Sequence, residues 1–473
     1  MVIFELAFFT FFGKSMFPAF RFSPPAPPAA IRSTRWLGLA LLAGALLATG
    51  CSHDADPVLP ASPAAESYSA DVATKWADAE LKLIKNGTGF SPPVAARALG
   101  YSGVALYEAV APGIAGSQSL AGQLSGLSAL PQADAAQRYN WAVAANAAEA
   151  SILKSLFGNA TTAQRSTLDS LETALNQPYA GGAEFDRSVQ FGRAIAQAVF
   201  DWSRTDGGHE GYLSNQPAGY VPPTGVGMWV PANGSAAARA LQPYWGQNRL
   251  FVPANASLPM PALAYAYSTQ PGSPYYAQVQ EVYNTGRSLT PAQRTIALYW
   301  ADGGQTITPP GHSISITGIV LRARQASLAQ AGEAYARVGL AVADAFVGCW
   351  KCKYQFNWQR PIAAIQGMID PAWQPLLATP PFPEFVSGHS SQSGAAAQVL
   401  EDLFGAQTAF VDNTHQARGA GYEPRPFASF AAFADEAAIS RLYAGIHFRS
   451  ANEVGLAEGR KVGRNVSALR FRK

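Results

Sequence analysis

The sequence has few cysteines, few charges and no excess of either charge sign. Three of its 473 residues are cysteine, and 14% are Asp, Glu, Lys or Arg. Of 34 basic and 31 acidic residues, four basic and one acidic lie in residues 1–50, which leaves thirty of each sign in the rest of the chain. A neutral chain gives no case for nucleic acid or an anionic membrane surface as a partner, so any positive potential must be local.

Long apolar runs, alternating strand patterns and internal repeats are also absent. Alanine is abundant, 48% of the residues are hydrophobic, and apolar residues recur at helical spacing through most of the chain. We therefore predict an all-α fold of helical bundles packed side by side. A long irregular segment rich in Gly, Pro and aromatic residues, 205–272, is expected to wrap over the helices.

The N-terminus is typical of an export signal. Arg32 and Arg35 precede the apolar run Trp36 to Ala48, which is too short for a good transmembrane helix. Because Ala48-Thr49-Gly50-Cys51 resembles a bacterial lipobox, we expect a lipoprotein signal peptide at 1–50, with Cys51 lipidated. The protein would then be anchored in the bacterial cell envelope, facing the periplasm or at the outer membrane, and would meet a membrane only through this anchor. Plain secretion with an incidental Cys51 is the alternative.

The rest of the chain divides into three parts. Residues 51–67, rich in Ser, Pro, Ala and Asp, are predicted to be a flexible tether. Residues 68–290 form a predicted N-terminal helical domain, and 291–473 a C-terminal helical domain that carries the candidate site. The remaining cysteines, Cys349 and Cys352, are two buried thiols or a short structural disulfide; the CxxC spacing does not decide between them.

The stretch Pro381 to His389 organises the candidate site. Pro and Gly punctuate it, and an Ala-rich helical run follows directly. Ser387, Gly388 and His389 should therefore lie at a helix N-terminus, where free backbone N–H groups and the positive end of the helix dipole favour an oxyanion.

Two basic segments flank this turn. Lys353 lies seven residues before Arg360-Pro361, and Arg441 lies six residues before His447. Pro361 pushes Arg360 out of the helical region, and Gly445 is a plausible helix stop between Arg441 and His447. Both pairs therefore straddle predicted helix ends, where their side chains can turn into one pocket. Such a pocket suits phosphate, sulfate or vanadate.

Each motif alone would be chance, but the ordered set of three within about a hundred residues is specific. The set resembles the superfamily shared by vanadium-dependent haloperoxidases and type 2 phosphatidic acid phosphatases. The resemblance implies that the vanadate oxygens are bound by Lys353, Arg360, Ser387, Gly388 and Arg441. It also implies that His447 bonds vanadium, that Lys353 polarises bound peroxide and that His389 handles its proton.

Further residues favour the haloperoxidase branch. Trp350 and Phe382 match aromatic positions on the halide side of chloroperoxidase-like members, although both could simply be core. Asp302 resembles an aspartate that would pair with Arg441. His312 is either next to the pocket or a capping or packing residue, and His53, His209 and His415 are taken as solvated or structural.

Two positions depart from the superfamily pattern. Val386 replaces the usual proline of the turn. Ala451, four residues after His447, replaces the aspartate that orients the phosphatase nucleophile. Losing that aspartate should harm a phosphohistidine mechanism more than a cofactor bond.

The sequence thus predicts a vanadate-dependent haloperoxidase that uses hydrogen peroxide, a halide and a small organic acceptor. The alternatives are an acid phosphatase with a phosphohistidine intermediate and a phosphate- or sulfate-binding lipoprotein without catalysis.

Overall fold

The computed structural model describes residues 61–231 and 239–473. The predicted signal peptide, Cys51 and residues 51–60 of the predicted tether lie outside the described residues. The end of the tether is folded, since Ala65–Ser67 forms a 3-10 turn in which Ala65 is buried.

The described part of the chain is mostly helical, as predicted. Its α-helices are α1 Asp71–Asn86, α2 Pro92–Val110, α3 Trp141–Leu156, α4 Thr162–Asn176, α5 Phe185–Ser203, α6 Pro253–Ala256, α7 Pro274–Arg287, α8 Pro291–Tyr299, α9 Thr308–Ala323, α10 Leu328–Phe356, α11 Pro361–Met368, α12 Gly388–Phe404, α13 Phe430–Tyr443 and α14 Arg449–Ser467. Within the described residues, no helix is long and apolar enough to cross a bilayer.

Local sequence signals set several helix starts. The Ser327 side chain caps the start of α10 in a capping box with Gln330. The Asn140 side chain accepts a hydrogen bond from the Val143 N–H and caps the start of α3.

The long helix α10 lies at the centre and packs against α2 and α12. The contact with α2 is so close that a Cβ at Gly339 would lie 2.5 Å from the Leu99 carbonyl oxygen. On the other side, Gly455, Gly459 and Gly463 of α14 recur every four residues and press against α12. The boundary predicted between residues 290 and 291 stays a prediction; in the structure one cluster of buried side chains spans it.

The irregular segment lies across the C-terminal half of α10, as expected. The Trp229 N–H donates to the Asn357 carbonyl over 2.7 Å, and the Leu241 N–H donates to the Pro381 carbonyl over 2.9 Å. At its far end, the Phe251 N–H donates to the Asp344 carboxylate of α10. This segment therefore fixes both the end of α10 and the turn before α12.

A short antiparallel strand pair was not predicted. Strands β1 Phe410–Asp412 and β2 Arg425–Phe427 pair between α12 and α13. They place the Asp412 side chain, which is fully buried, against α9.

Candidate active site

The three predicted segments meet in one buried place. Lys353 lies in the last turn of α10, Arg360 precedes α11, Ser387 and Gly388 start α12, and Arg441 and His447 bracket the end of α13. We call these six residues the oxyanion site. Lys353 and Ser387 are fully buried, and Arg360, Arg441 and His447 are at most 2% exposed.

The local backbone explains why the basic side chains converge. The helix α10 ends at Asn357 in the left-handed region, and Arg360 is extended before Pro361. After α13, Gly445 has a φ of +76° and turns the chain back toward the site. Both helix ends lie where the sequence predicted them.

Arg360 joins the three segments. Its Nε donates to the Phe382 carbonyl over 2.9 Å, and its Nη1 donates to the Ile446 carbonyl over 2.8 Å. The same Nη1 lies 3.1 Å from Nε2 of His447. An N–H donor thus faces Nε2, which identifies Nε2 as the unprotonated nitrogen of that ring.

Glu384 orients His447, and the sequence prediction missed this residue. Its Oε1 accepts the Phe448 N–H over 2.9 Å and lies 2.8 Å from Nδ1 of His447. Since Oε1 is already an acceptor, Nδ1 carries the proton and donates to it. Burial raises the pKa of Glu384 to about 7, and the charges of Arg360 and Lys353 oppose that rise. The carboxylate that the phosphatase pattern has four residues after this histidine, where this chain has Ala451, is therefore supplied by the turn before α12.

His389 lies beside Arg441 at the second residue of α12. Its Nε2 is 3.4 Å from Nη1 of Arg441. Burial, together with the charge of Arg441, holds the pKa of His389 well below its usual value. Burial and the neighbouring cations do the same for His447. Both imidazoles are therefore neutral, and each has a lone pair that can accept a hydrogen bond or bond a Lewis acid.

Lys353 has no carboxylate partner among the described residues. Its Nζ donates to the carbonyl oxygens of Pro383 and Glu384, each over 2.9 Å. Phe382 and Trp350 lie beside it, with ring centroids 5.1 Å and 5.9 Å from Nζ. Burial lowers the pKa of Lys353 to about 8.

This pKa makes anion binding by the apoprotein depend on pH. Lys353 is charged below about pH 8 and neutral above it, so sulfate, whose own charge is constant there, should bind about tenfold more weakly at pH 9.5 than at pH 6.5. Isothermal titration calorimetry would measure this. Lys353→Met should bind weakly at both pH values, and a parent protein whose sulfate affinity is flat across this range would contradict the assignment.

A cavity of about 1350 Å³ opens onto the oxyanion site. Gly388, His389, Arg441 and His447 line it, and so do the predicted aromatic residues Trp350 and Phe382, whose ring centroids lie 5.0 Å apart. A substrate can thus reach the two histidines past an aromatic wall.

Cys349 and Cys352 are both buried free thiols, which is one of the two accounts left open.

The prediction that Asp302 pairs directly with Arg441 is wrong. One oxygen of Asp302 lies 2.9 Å from Nδ1 of His312, and the other lies 2.8 Å from Nε2 of His415. Arg441 donates instead to the Ala297 carbonyl and to the Ser440 hydroxyl. Asp302 acts on Arg441 only through its charge, which opposes the burial that lowers the pKa of Arg441 to about 10.

His312 and His415 are both buried, so the expectation that His415 is solvated or structural is correct only in its second part. The other ring nitrogen of His312, Nε2, lies 2.8 Å from Asp412. We call Asp302, His312, Asp412 and His415 the Asp302 network. His312 is neither a cap nor simple packing, because it bridges two carboxylates.

The residues of the oxyanion site fit a bound tetrahedral oxyanion. Nη2 of Arg360 and the Ser387 hydroxyl are buried and have no hydrogen-bond partner. Orphaned buried donors are costly, and a ligand oxygen would satisfy both. Several buried cations with one carboxylate among them also require an anion.

Comparisons with known proteins agree with this geometry. Residues 333–472 match the family model described as the VCPO second helical-bundle domain. Vanadium chloroperoxidase of Curvularia inaequalis is 30% identical over an alignment of 151 residues, and the match covers 26% of this chain and 24% of that protein. The aligned part thus spans about a quarter of that relative.

Two solved structures match over most of the chain. A bacterial vanadium-dependent iodoperoxidase is 33% identical with a TM-score of 0.77, covering 88% of this chain and 99% of that one. The holo form of a bacterial vanadium-dependent chloroperoxidase has a TM-score of 0.63 at 16% identity, covering 81% and 93% of the two chains, and it supports the fold alone. The chain therefore belongs to the vanadium-dependent haloperoxidases, and its cofactor is vanadate.

Proposed function

We propose that this protein oxidises a halide with hydrogen peroxide to hypohalous acid, using vanadate bound in the oxyanion site. The observation that carries the proposal is that three groups suited to a vanadate ligand belong to one site. Nε2 of His447 has a lone pair, and Nη2 of Arg360 and the Ser387 hydroxyl are buried donors without a partner. A nitrogen ligand and a set of oxyanion donors in one buried place are what a protein-bound vanadate requires.

Each residue of the site has a role that follows from its contacts. Bound vanadate supplies a Lewis-acidic centre at which peroxide becomes reactive toward halide. Glu384 holds the Nδ1 proton of His447 and so directs Nε2 to the ligand. Lys353, Arg360 and Arg441 balance the negative charge of the ligand oxygens. His389 lines the cavity and would accept at Nε2 the proton that hydrogen peroxide releases. Burial and the charge of Arg441, which lower its pKa, oppose this transfer, and the negative charge of a bound oxyanion favours it.

The proposed halide is iodide. The solved relative with 33% identity over 99% of its length is an iodoperoxidase. The matched chloroperoxidase structures are 16% and 17% identical, and the 30% identity to the Curvularia chloroperoxidase covers 24% of that protein. Iodide is also the most easily oxidised of the three common halides, so it places the smallest demand on the site.

The test is a halide series on one preparation of protein reconstituted with orthovanadate. Peroxide-dependent triiodide formation is expected, with weaker bromination of a phenol-type dye and the lowest rate of chlorination. Lys351→Met, beside Lys353 but outside the oxyanion site, should behave like the parent and serves as the control. A fully vanadate-loaded protein that oxidises none of the three halides would refute the proposal.

Phosphate-ester hydrolysis by the apoprotein is the second candidate activity. The sequence argued against it because Ala451 replaces the orienting aspartate, but Glu384 now holds Nδ1 of His447 in that way. Turnover of an aryl phosphate without vanadate, and its inhibition by added vanadate, would support this activity. Glu384→Ala should abolish it.

We also propose that the protein is exported and lipid-anchored through Cys51. The support is the sequence of residues 32–51, with basic residues, a short apolar run and small residues before the cysteine. In a bacterial host, Cys51→Ser should move the protein from the membrane fraction to the soluble periplasmic fraction. An unchanged membrane fraction would reject the anchor.

A further inference from the structure

Two buried carboxyl groups, Glu80 of α1 and Glu149 of α3, take no part in the oxyanion site. Each residue is 2% exposed, and each has one carboxyl oxygen, Oε1, without a hydrogen-bond partner. The Ser102 hydroxyl of α2 lies 2.7 Å from Oε2 of Glu80 and 3.3 Å from Oε2 of Glu149. Three helices thus bring two carboxyl groups to one hydroxyl in the core.

No basic side chain balances this pair within the described residues. The Ser102 hydroxyl is the one hydrogen-bond partner that either carboxyl group has there. Burial raises the pKa of Glu80 to about 8, and burial together with the charge of Glu80 raises the pKa of Glu149 well above its usual value. Two buried carboxylates without a counter-charge are costly, so the pair requires either protons or a cation.

A small internal cavity lies against both carboxyl groups. Its volume is about 10 Å³, which is room for one ion or one water molecule. Tyr335 of α10 also lines this cavity, and its hydroxyl is buried without a hydrogen-bond partner. Apart from Ser102, the other lining residues are Ala, Gly, Leu and Ile residues of α1, α2 and α9. Side chains with unpartnered oxygens on three helices therefore line one cavity with otherwise apolar walls.

We propose that Glu80, Glu149, Ser102 and Tyr335 hold a structural divalent cation of the calcium type. The donor set is all oxygen, which suits Ca²⁺ and Mg²⁺ rather than zinc or copper. Mg²⁺ keeps several of its own waters, for which so small a cavity has no room, so Ca²⁺ fits better. One Ca²⁺ neutralises both carboxylates, and carboxylates can bind it through one or both oxygens.

The ion would tie α1, α2 and α3 to α10, the helix whose last turn carries Lys353. The alternative occupant is a water molecule between protonated carboxyl groups. It would satisfy the unpartnered oxygens but would bind no metal.

The test is thermal unfolding of the purified protein in EGTA and in CaCl₂, after overnight exchange because the site is buried. Ca²⁺ is expected to raise the unfolding midpoint by about 5 °C, since an ion that binds the folded chain alone stabilises it. Mg²⁺ at the same concentration should raise it less. Elemental analysis after gel filtration should find stoichiometric calcium in the parent protein.

Glu149→Gln keeps the size of the side chain and removes one charge from the pair. It should lose the stoichiometric calcium, and its unfolding midpoint should be the same in EGTA and in CaCl₂. Glu108→Gln is the matched control, since Glu108 is also a buried carboxyl but accepts the Leu120 N–H. This variant should keep the full response to Ca²⁺.

Two results would overturn the proposal. A parent protein that holds no divalent metal and unfolds at the same temperature in EGTA and in CaCl₂ has protonated carboxyl groups in place of the ion. A calcium response that Glu149→Gln retains would place the ion elsewhere on the chain. Neither measurement involves vanadate, so both are independent of the proposed function.

Discussion

Replacing Glu384 by alanine is expected to weaken orthovanadate binding by about 10- to 100-fold and to lower halide oxidation accordingly. The carboxylate fixes the proton of His447 on Nδ1, so its loss lets the ring rotate or change tautomer and removes Nε2 from the ligand. The loss of this carboxylate, which faces the charges of Lys353 and Arg360, makes the site more positive and so offsets part of the expected loss of affinity.

A graded series separates orientation from charge. Glu384→Gln should fall between the parent and Glu384→Ala, because its amide oxygen still accepts a hydrogen bond but carries no charge. Calorimetry gives the affinity, and thermal unfolding confirms that each variant folds. Glu108→Gln is the matched control, since Glu108 is a buried carboxyl that accepts the Leu120 N–H far from the site. Parental affinity in Glu384→Ala would contradict the assigned role.

Replacing His312 by alanine is expected to destabilise the protein by about 3–5 kcal/mol, which is the usual effect of removing one partner of a buried ion pair. The imidazolium lies between two buried carboxylates, and Asp412 has no second basic side chain in hydrogen-bond contact within the described residues, whereas Asp302 also contacts the His415 ring. Chemical unfolding at pH 6.5 measures the change. His209→Ala, at a half-buried histidine in edge contact with Phe200, should cost less than about 1 kcal/mol.

The same variant has a defined pH dependence. The folded-state pKa of His312 is raised from 6.5 to about 10, so its contribution is complete below pH 6.5 and is lost as the pH rises through 10. The difference in stability between the parent and His312→Ala should therefore shrink between pH 6.5 and 10. A difference that is constant or grows across that range would show that His312 is not a buried cation.

The sequence predicted the oxyanion site because its determinants are local. Pro361, Gly445 and the Ser387-Gly388 turn each end or start a helix by backbone chemistry that operates within a few residues. These helix ends set the direction of the basic and imidazole side chains beside them, which are Lys353, Arg360, Arg441 and His447.

The partners of those residues were not predictable because they come from distant segments. Glu384 lies 63 residues before His447, so a search at fixed spacing after His447 finds Ala451 and misses it. An acidic residue inside the otherwise apolar and proline-rich stretch before Ser387 was the available signal. His415 lies 113 residues from Asp302, on a loop whose position depends on the unpredicted strand pair.

Crystals of the apoprotein soaked in orthovanadate give the most direct test of the account. Anomalous scattering should place one vanadium atom within bonding distance of Nε2 of His447, with its oxygens on Arg360, Ser387 and Arg441. A peak at the Asp302 network, or no peak in the cavity beside His389 under saturating orthovanadate, would contradict the claim that the three segments form one oxyanion site.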